Sequence, residues 1–341
     1  NGIPFFSDAG GGSMYTHNVS ATQSTAELNT AYGFTALDAI TTGDNNTVMG
    51  YGAGGAVTTG AVNTLIGGLA GDALTSGGAN VALGYGALST SVDGDHNTAI
   101  GVYALEDYED GDGNGFNTAV GSQSQAQATT GEFNTSLGAS SMGVGVTTGD
   151  FNSAIGYKAL LNVTSGEKNT ALGGFSLANV STGSYNVSLG YNALGSANGS
   201  ESANVAIGFE SLSSLDAGGS NYNTAVGYNT GTAMTTAIEN TLIGGFAGDA
   251  ITTGSSNTAL GYHSLGAENT GSRAVAIGYG TLHNQDYNGS SYNVAVGYDA
   301  GAAVTTGVQN TIIGGLAGDA LTSGLSNTAL GMRALSTDTT G

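Results

Sequence analysis

The chain has 341 residues, 61 of them glycine, and its 25 acidic residues against four lysines and arginines give a formal net charge of −21. A chain this acidic lacks the basic patches that binding to nucleic acids or to anionic lipid surfaces requires. We therefore expect neither nucleic acid nor an anionic membrane as a partner. Cysteine is absent, which excludes disulfides, and no apolar run is long enough to insert into a membrane.

Residues 1–28 lack the pattern that fills the rest of the chain, and we expect a lead-in or cap there. Across residues 29–341, the pentapeptide Asn-x-Ala-Φ-Gly, in which Φ is aliphatic, recurs in eighteen units, usually every seventeen residues. Ala274 replaces the first Asn in one unit. A short fixed period indicates a stack of equivalent units, and we expect this stack to be a segment of a longer polypeptide.

Seventeen residues are too few for a helix pair but suit one coil of a parallel β-solenoid, with two or three short strands joined by turns. The sequence therefore predicts an all-β fold of eighteen coils. Thr-Thr-Gly often precedes the pentapeptide, as in Thr41-Thr42-Gly43. We expect the glycine of this spacer to supply the positive φ of a tight turn.

In Asn97-Thr98-Ala99-Ile100-Gly101, side chains alternate, so Thr98 and Ile100 share one face of a strand. We predict that the aliphatic residues of the pentapeptides and of the Ala-Leu pairs after them form the core. The predicted core residues are Ile100, Leu105, Leu172, Ile207, Leu260 and Ile277. About two large aliphatic side chains per coil make a thin core, so we also expect association with other chains.

The first Asn of each unit has two possible roles. Its amide side chains stack into a ladder from coil to coil, as buried Asn does in stacked parallel strands, or the residue is a turn position that tolerates left-handed backbone. Representative positions are Asn97, Asn186, Asn257 and Asn327. Neither role is catalytic, and the histidines have no metal-ligand or triad spacing. We therefore predict no catalytic residue.

A longer period of four coils begins at Asn46, Asn152, Asn223 and Asn293. Its second coil has Gly after the pentapeptide and often a larger residue in the Ala position, as with Gly68 and Leu65, which predicts that one compensates for the other in volume. Insertions follow its fourth coil at 106–116, 213–222 and 283–292. Candidate binding residues in these loops are Asp107, Tyr108, Phe116, Asp216, Tyr222, Asp286, Tyr287 and Tyr292.

The first insertion resembles the start of a calcium loop, because Asp110, Asp112 and Asn114 place oxygen ligands at alternate positions. Gly121 stands where such a loop has its bidentate Glu. A calcium site and a solvated acidic loop therefore both remain open, and no other cofactor is expected. Aromatic residues after many pentapeptides, such as Tyr262, either bind sugars or stack from coil to coil.

The string Asn257-Thr258-Ala259-Leu260-Gly261-Tyr262, with its Thr-Thr-Gly spacers and Ala-Leu pairs, resembles the head repeats of YadA-type trimeric autotransporter adhesins and the repeats of phage tail fibres. That resemblance implies a left-handed parallel β-roll, three chains about one axis, and a role in adhesion or as a fibre shaft. YadA-type repeats are somewhat shorter than seventeen residues, which makes the trimer a weaker expectation than the solenoid.

The resulting functional hypothesis is a non-enzymatic, homotrimeric, extracellular fibre segment on a virion tail or a cell surface. A host-surface glycan or protein is its expected external partner. A self-assembling extracellular filament and a monomeric polysaccharide-binding β-solenoid are the alternatives.

Overall fold

The computed structural model describes residues 6–7, 12–16, 24–109, 114–197 and 199–341. The chain divides into two compact units, Asn1–Lys168 and Asn169–Gly341, and each is described by itself. Both units are parallel β-solenoids, and no described residue is helical. The predicted all-β solenoid with a spacing of about seventeen residues is therefore confirmed.

The first unit has ten strands. They are β1 (Phe6–Ser7), β2 (Met14–Tyr15), β3 (Thr30–Tyr32), β4 (Thr47–Met49), β5 (Thr64–Ile66), β6 (Val81–Leu83), β7 (Thr98–Ile100), β8 (Thr118–Val120), β9 (Thr135–Leu137) and β10 (Ser153–Ile155). From β2 onward each strand pairs in parallel with the next, so that Ala82 of β6 lies beside Ala99 of β7. Equivalent residues of successive repeats therefore lie in register.

The second unit has ten strands in the same arrangement. They are β11 (Thr170–Leu172), β12 (Val187–Leu189), β13 (Val205–Ile207), β14 (Thr224–Val226), β15 (Thr241–Ile243), β16 (Thr258–Leu260), β17 (Val275–Ile277), β18 (Val294–Val296), β19 (Thr311–Ile313) and β20 (Thr328–Leu330). Each coil contributes one three-residue strand, not the two or three that we predicted. The rest of the coil is turn, bonded to neighbouring coils by its backbone, as where the Leu88 N–H donates to Ala104 O at 3.0 Å.

Part of the lead-in continues the coil pattern although it lacks the pentapeptide. The Met14 N–H donates to the carbonyl oxygen of Asn29 at 2.7 Å, and the Asn29 N–H donates to Ser13 Oγ at 3.0 Å. Ser13 and Tyr15 are buried. A serine hydroxyl thus takes the place of the first Asn one coil earlier, which the sequence pattern did not show.

Left-handed backbone recurs at three places in the coils. We call the first residue of each coil, Asn or Ala274, its anchor and number it position 1; position 17 denotes the residue directly before the next anchor, also where an insertion lengthens the coil. Positions 7, 9 and 17 all have a φ of about +50° to +65°, as at Thr35 (57°), Leu37 (55°) and Asn45 (60°). The glycine of Thr-Thr-Gly is not among these residues, so our prediction for it was wrong. A Cβ on Gly43 would instead overlap the carbonyl oxygen of Gly60, so close approach between coils requires glycine there.

The core of each unit lies on the Ala face of the strands, opposite to the face that we predicted. Ala99 is fully buried, whereas Ile100 next to it is partly exposed. Of the six predicted core residues Leu105 alone is buried; Ile207 and Ile277 are partly exposed, and Leu172 and Leu260 are 40% and 42% exposed. Where position 9 is Leu, its side chain and the residue at position 12, as with Leu37 and Ile40, fill the interior, which leaves room only for a small residue on the strand.

Volume compensation does occur, but with a different glycine from the one that we predicted. Leu65 fills the space beside Gly54 and Gly71, where a Cβ would lie 2.8 and 3.0 Å from its methyl groups. Both glycines occupy position 9, which is Leu in most other coils. A large residue on the strand therefore replaces a large residue on the opposite wall.

Candidate interaction surface

An outer aliphatic row runs along the outward face of the strands, one side chain from position 4 of each coil. In the second unit it comprises Leu172, Leu189, Ile207, Val226, Ile243, Leu260, Ile277, Val296, Ile313 and Leu330. In the first unit it comprises Tyr32, Met49, Ile66, Leu83, Ile100, Val120, Leu137 and Ile155. Parallel register places each member beside the next, for example Leu260 beside Ile277.

Position 2 adds a second row on the same face, made of threonine, valine and one serine. Val187 in this row is 40% exposed. No charged residue occupies position 2 or position 4 in any of the eighteen repeats. Each unit therefore presents a continuous uncharged band, apolar along position 4 and mostly threonine along position 2. Monomeric soluble proteins rarely expose apolar patches of more than a few hundred Å².

Beneath this band the anchor asparagines form a buried ladder. The Asn186 N–H donates to Asn169 Oδ1 at 3.0 Å, and Asn186 Oδ1 accepts from the Asn204 N–H at 3.0 Å. The side-chain amide of each anchor usually donates to a backbone carbonyl of its own coil, as Asn257 Nδ2 does to Gly271 O at 2.9 Å. Asn97 and Asn327 bond in the same way to the anchors before them. Left-handed backbone falls on the residue before each anchor, so the turn interpretation does not apply to the anchors themselves.

The ladder is interrupted at Ala274, and a buried polar cluster occupies the gap. Gln285 Nε2 donates to Glu268 Oε2 at 2.8 Å, and Asn293 Nδ2 donates to Gln285 Oε1 at 2.7 Å. The Gly271 N–H donates to Glu268 Oε1 at 2.7 Å. Burial raises the pKa of Glu268, the largest of the influences on it. The sequence pattern revealed the missing Asn but not the side chains that compensate for it.

Aromatic side chains stack from coil to coil in two columns. At position 17, His96, Phe116, Phe133 and Phe151 lie with ring centroids 4.9, 5.3 and 4.9 Å apart and nearly parallel planes. At position 6, Tyr279 lies between Tyr262 and Tyr298, at 5.6 and 5.3 Å. Since neighbouring rings cover these faces, the column presents ring edges to solvent. The geometry favours the stacking interpretation over a sugar-binding platform.

The candidate binding residues of the insertions differ in exposure. Asp107, Phe116, Asp216, Tyr222, Asp286 and Tyr292 are exposed, and Tyr287 is partly exposed. Tyr108 is fully buried at position 12, so it is a core residue and the prediction of a binding role for it was wrong. Phe116, Tyr222 and Tyr292 occupy position 17 and belong to the regular coil. The described residues of the insertions thus include both buried and exposed positions of a coil that is lengthened by a few residues.

Two of the three residues in the calcium hypothesis, Asp110 and Asp112, lie outside the residues that the structure describes. Asn114 is described; it is exposed and forms a parallel bridge with Asp95. Among the described residues, no three His, Asp or Glu side chains are grouped as a metal site requires. In those same residues, no helix has the length and apolar character needed to cross a bilayer.

From the sequence, we placed the residues of this exposed band in the core, because the alternation of side chains identifies two faces of a strand but not which one points inward. The repeated Ala-Leu pair could have indicated the inward face, since it supplies the opposite wall of the core.

In comparisons with known proteins, no protein-family model matches the chain, and no characterised protein matches its sequence significantly.

Proposed function

We propose that this chain is a non-enzymatic structural segment of an extracellular fibre, in which copies of the chain associate through the outer aliphatic row. The observation that carries the proposal is the uncharged apolar band on the outward face of every coil. A fibre shaft needs a long uniform contact surface, and a repeated coil presents the same side chains at each step.

The number of copies that we propose is three, in line with the resemblance to YadA-type head repeats. The net charge of −21 supports an exposed, well-hydrated assembly on a virion tail or a cell surface. The stacked aromatic columns count against the alternative of a monomeric polysaccharide binder, because their ring faces are already covered.

Association through the outer aliphatic row is tested by placing charge in it. The double substitution Leu260→Asp and Ile277→Asp adds two carboxylates to the apolar band, and we expect it to dissociate the assembly because a buried unpaired carboxylate is strongly unfavourable. Since both side chains point outward, the isolated coils keep their own core. Sedimentation velocity measures the mass, and circular dichroism verifies the fold.

The matched control is Ile238→Asp, which changes another exposed aliphatic residue of the same unit that lies outside the strands. It should leave the mass unchanged. An unchanged mass for the double variant, with the fold intact, would show that the row is not the interface.

A further inference from the structure

The second unit contains a cavity of about 310 Å³ that the fibre role does not use. Its lining residues are His263, Tyr279, Gly280, His283, Asp299 and Ala302. The volume lies at the lower end of the range for small-molecule sites. All of these residues belong to positions 6, 7 and 10, away from the outer aliphatic row at position 4. The site is therefore independent of the association proposed above.

The cavity arises from an alternation of large and small residues down two columns of the solenoid. At position 7, Gly280 separates His263 from Asp299, and a Cβ on Gly280 would overlap the carboxylate of Asp299. At position 10, Gly266 lies beside His283, whose Nδ1 is 2.9 Å from where a glycine Cβ would be. No other four-coil module has this pair of histidines at these positions.

The polar atoms around the cavity are mainly hydrogen-bond acceptors. His283 Nδ1 lies 3.3 Å from the backbone oxygen of His263, to which its N–H donates, so Nε2 is left with a lone pair. The hydroxyl of Tyr298 donates to Asp299, leaving further acceptor capacity on that carboxylate. The His263 ring is held by stacking on Phe246, with centroids 4.9 Å apart.

A second carboxylate lies beside the histidines. Burial raises the pKa of Asp249, and the nearby His263 and His283 act in the opposite direction. Asp249 Oδ1 and His263 Nδ1 are buried without a hydrogen-bond partner among the described residues. The only cationic side chains of residues 169–341 are Arg273 and Arg333, and neither lines the cavity.

An acceptor-rich cavity that is bounded by a carboxylate and has no lysine or arginine in its lining complements a positively charged hydrogen-bond donor. We propose that this cavity binds the primary ammonium group of a small ligand, as carried by an amino sugar or by a lysine side chain. Asp299 supplies the charge, and its carboxylate and His283 Nε2 accept the N–H groups. The edge of the Tyr279 ring, which Tyr262 and Tyr298 leave uncovered, borders the carbon skeleton of the ligand.

Isothermal titration calorimetry of the full chain at neutral pH and low salt tests the proposal with three probes: glucosamine, N-acetylglucosamine and Nα-acetyl-lysine methylamide. We expect at least one of the two amines to bind with a dissociation constant of about 1 mM or tighter. N-acetylglucosamine should bind at least tenfold more weakly than glucosamine, because acetylation removes the charge. Binding of glucosamine alone, of the lysine derivative alone or of both supports the proposal and identifies the source of the ammonium group.

Two variants and a control assign the binding to the cavity. Asp299→Asn removes the charge with little change of shape, and Ala302→Leu fills the cavity with no change of charge. Each should weaken amine binding at least tenfold. Glu239→Gln, at an exposed carboxylate of the same unit that does not line the cavity, should leave the affinity unchanged. Absence of amine binding at millimolar concentration, measurable binding of N-acetylglucosamine as tight as that of glucosamine, or unchanged affinity in both cavity variants would overturn the proposal.

Discussion

At the scale of single residues, the anchor asparagine joins the coils through its side-chain oxygen. Its oxygen usually accepts a backbone N–H from the following coil, while its amide nitrogen usually donates to a carbonyl oxygen of its own coil. Because these groups are fully buried, loss of the side chain leaves backbone donors and acceptors without partners. The repeated asparagine is therefore explained by hydrogen bonding and needs no catalytic role.

Asn186→Ala tests this role. It leaves the Asn204 N–H and the carbonyl oxygen of Glu201 without the partners that they now have at 3.0 and 2.7 Å. We expect a loss of about 2–4 kcal/mol, because each buried unsatisfied group costs about 1–3 kcal/mol. Urea denaturation measures it, and Asn284→Ala, at an exposed asparagine, is the control. Equal stability of the two variants would contradict the ladder.

Glu268 makes the stability of the folded chain depend on pH. Because burial raises its pKa, the folded chain retains this proton at pH values where the unfolded chain has lost it. The contribution of Glu268 is therefore largest at low pH and is lost as the pH rises through the raised pKa. Relative to wild type, Glu268→Gln should gain in melting temperature between about pH 4 and about pH 8. A constant or shrinking difference across that range would argue against a raised pKa.

At the scale of the coil, packing pairs the strand with the opposite wall. Ordinary coils place Ala on the strand and Leu at position 9, whereas coils with Gly at position 9 are filled by a large strand residue of the same coil or of the next one. Leu242 is such a residue, and it lies against Gly231 and Gly248. The two arrangements are alternative solutions to filling the same volume.

This equivalence predicts a rescue. Leu242→Ala should destabilise the chain by about 2–5 kcal/mol through loss of packing. Adding Gly248→Leu recreates the set found at Ala31, Leu37 and Ile40, because Ile251 already occupies position 12. Leu is tolerated with left-handed backbone at this position, as at Leu265, where φ is 55°. The double variant should recover at least half of the loss in urea denaturation. No recovery would show that the two arrangements are not interchangeable.

The limits of the sequence pattern also lie at this scale. Period and composition predicted the coil, its length and its parallel stacking, because those depend on spacing alone. They did not predict that Ala99 points inward and Ile100 outward, because both faces of the strand repeat equally well. The left-handed residues at positions 7, 9 and 17 were hidden too, since Thr35, Leu37 and Asn45 share no side-chain property. The histidine cavity depends on glycines in neighbouring coils, which no local motif records.

At the scale of the whole molecule, the outer aliphatic row links the fold to its proposed role. A single chain leaves this apolar band in contact with water in both units, although the core of each unit is complete. The band becomes favourable when copies of the chain cover it, because burial of apolar surface is the main driving force for association. The cavity that we propose to bind ammonium lies elsewhere on the second unit, so the proposed recognition and the proposed assembly use separate surfaces.

The central claim is that the outer aliphatic row is an interface between copies of this chain. Sedimentation equilibrium of the wild-type protein at low micromolar concentration measures it most directly. The account predicts a single species of three times the 33.3 kDa chain mass. A folded species of 33.3 kDa that persists as the concentration is raised would contradict it.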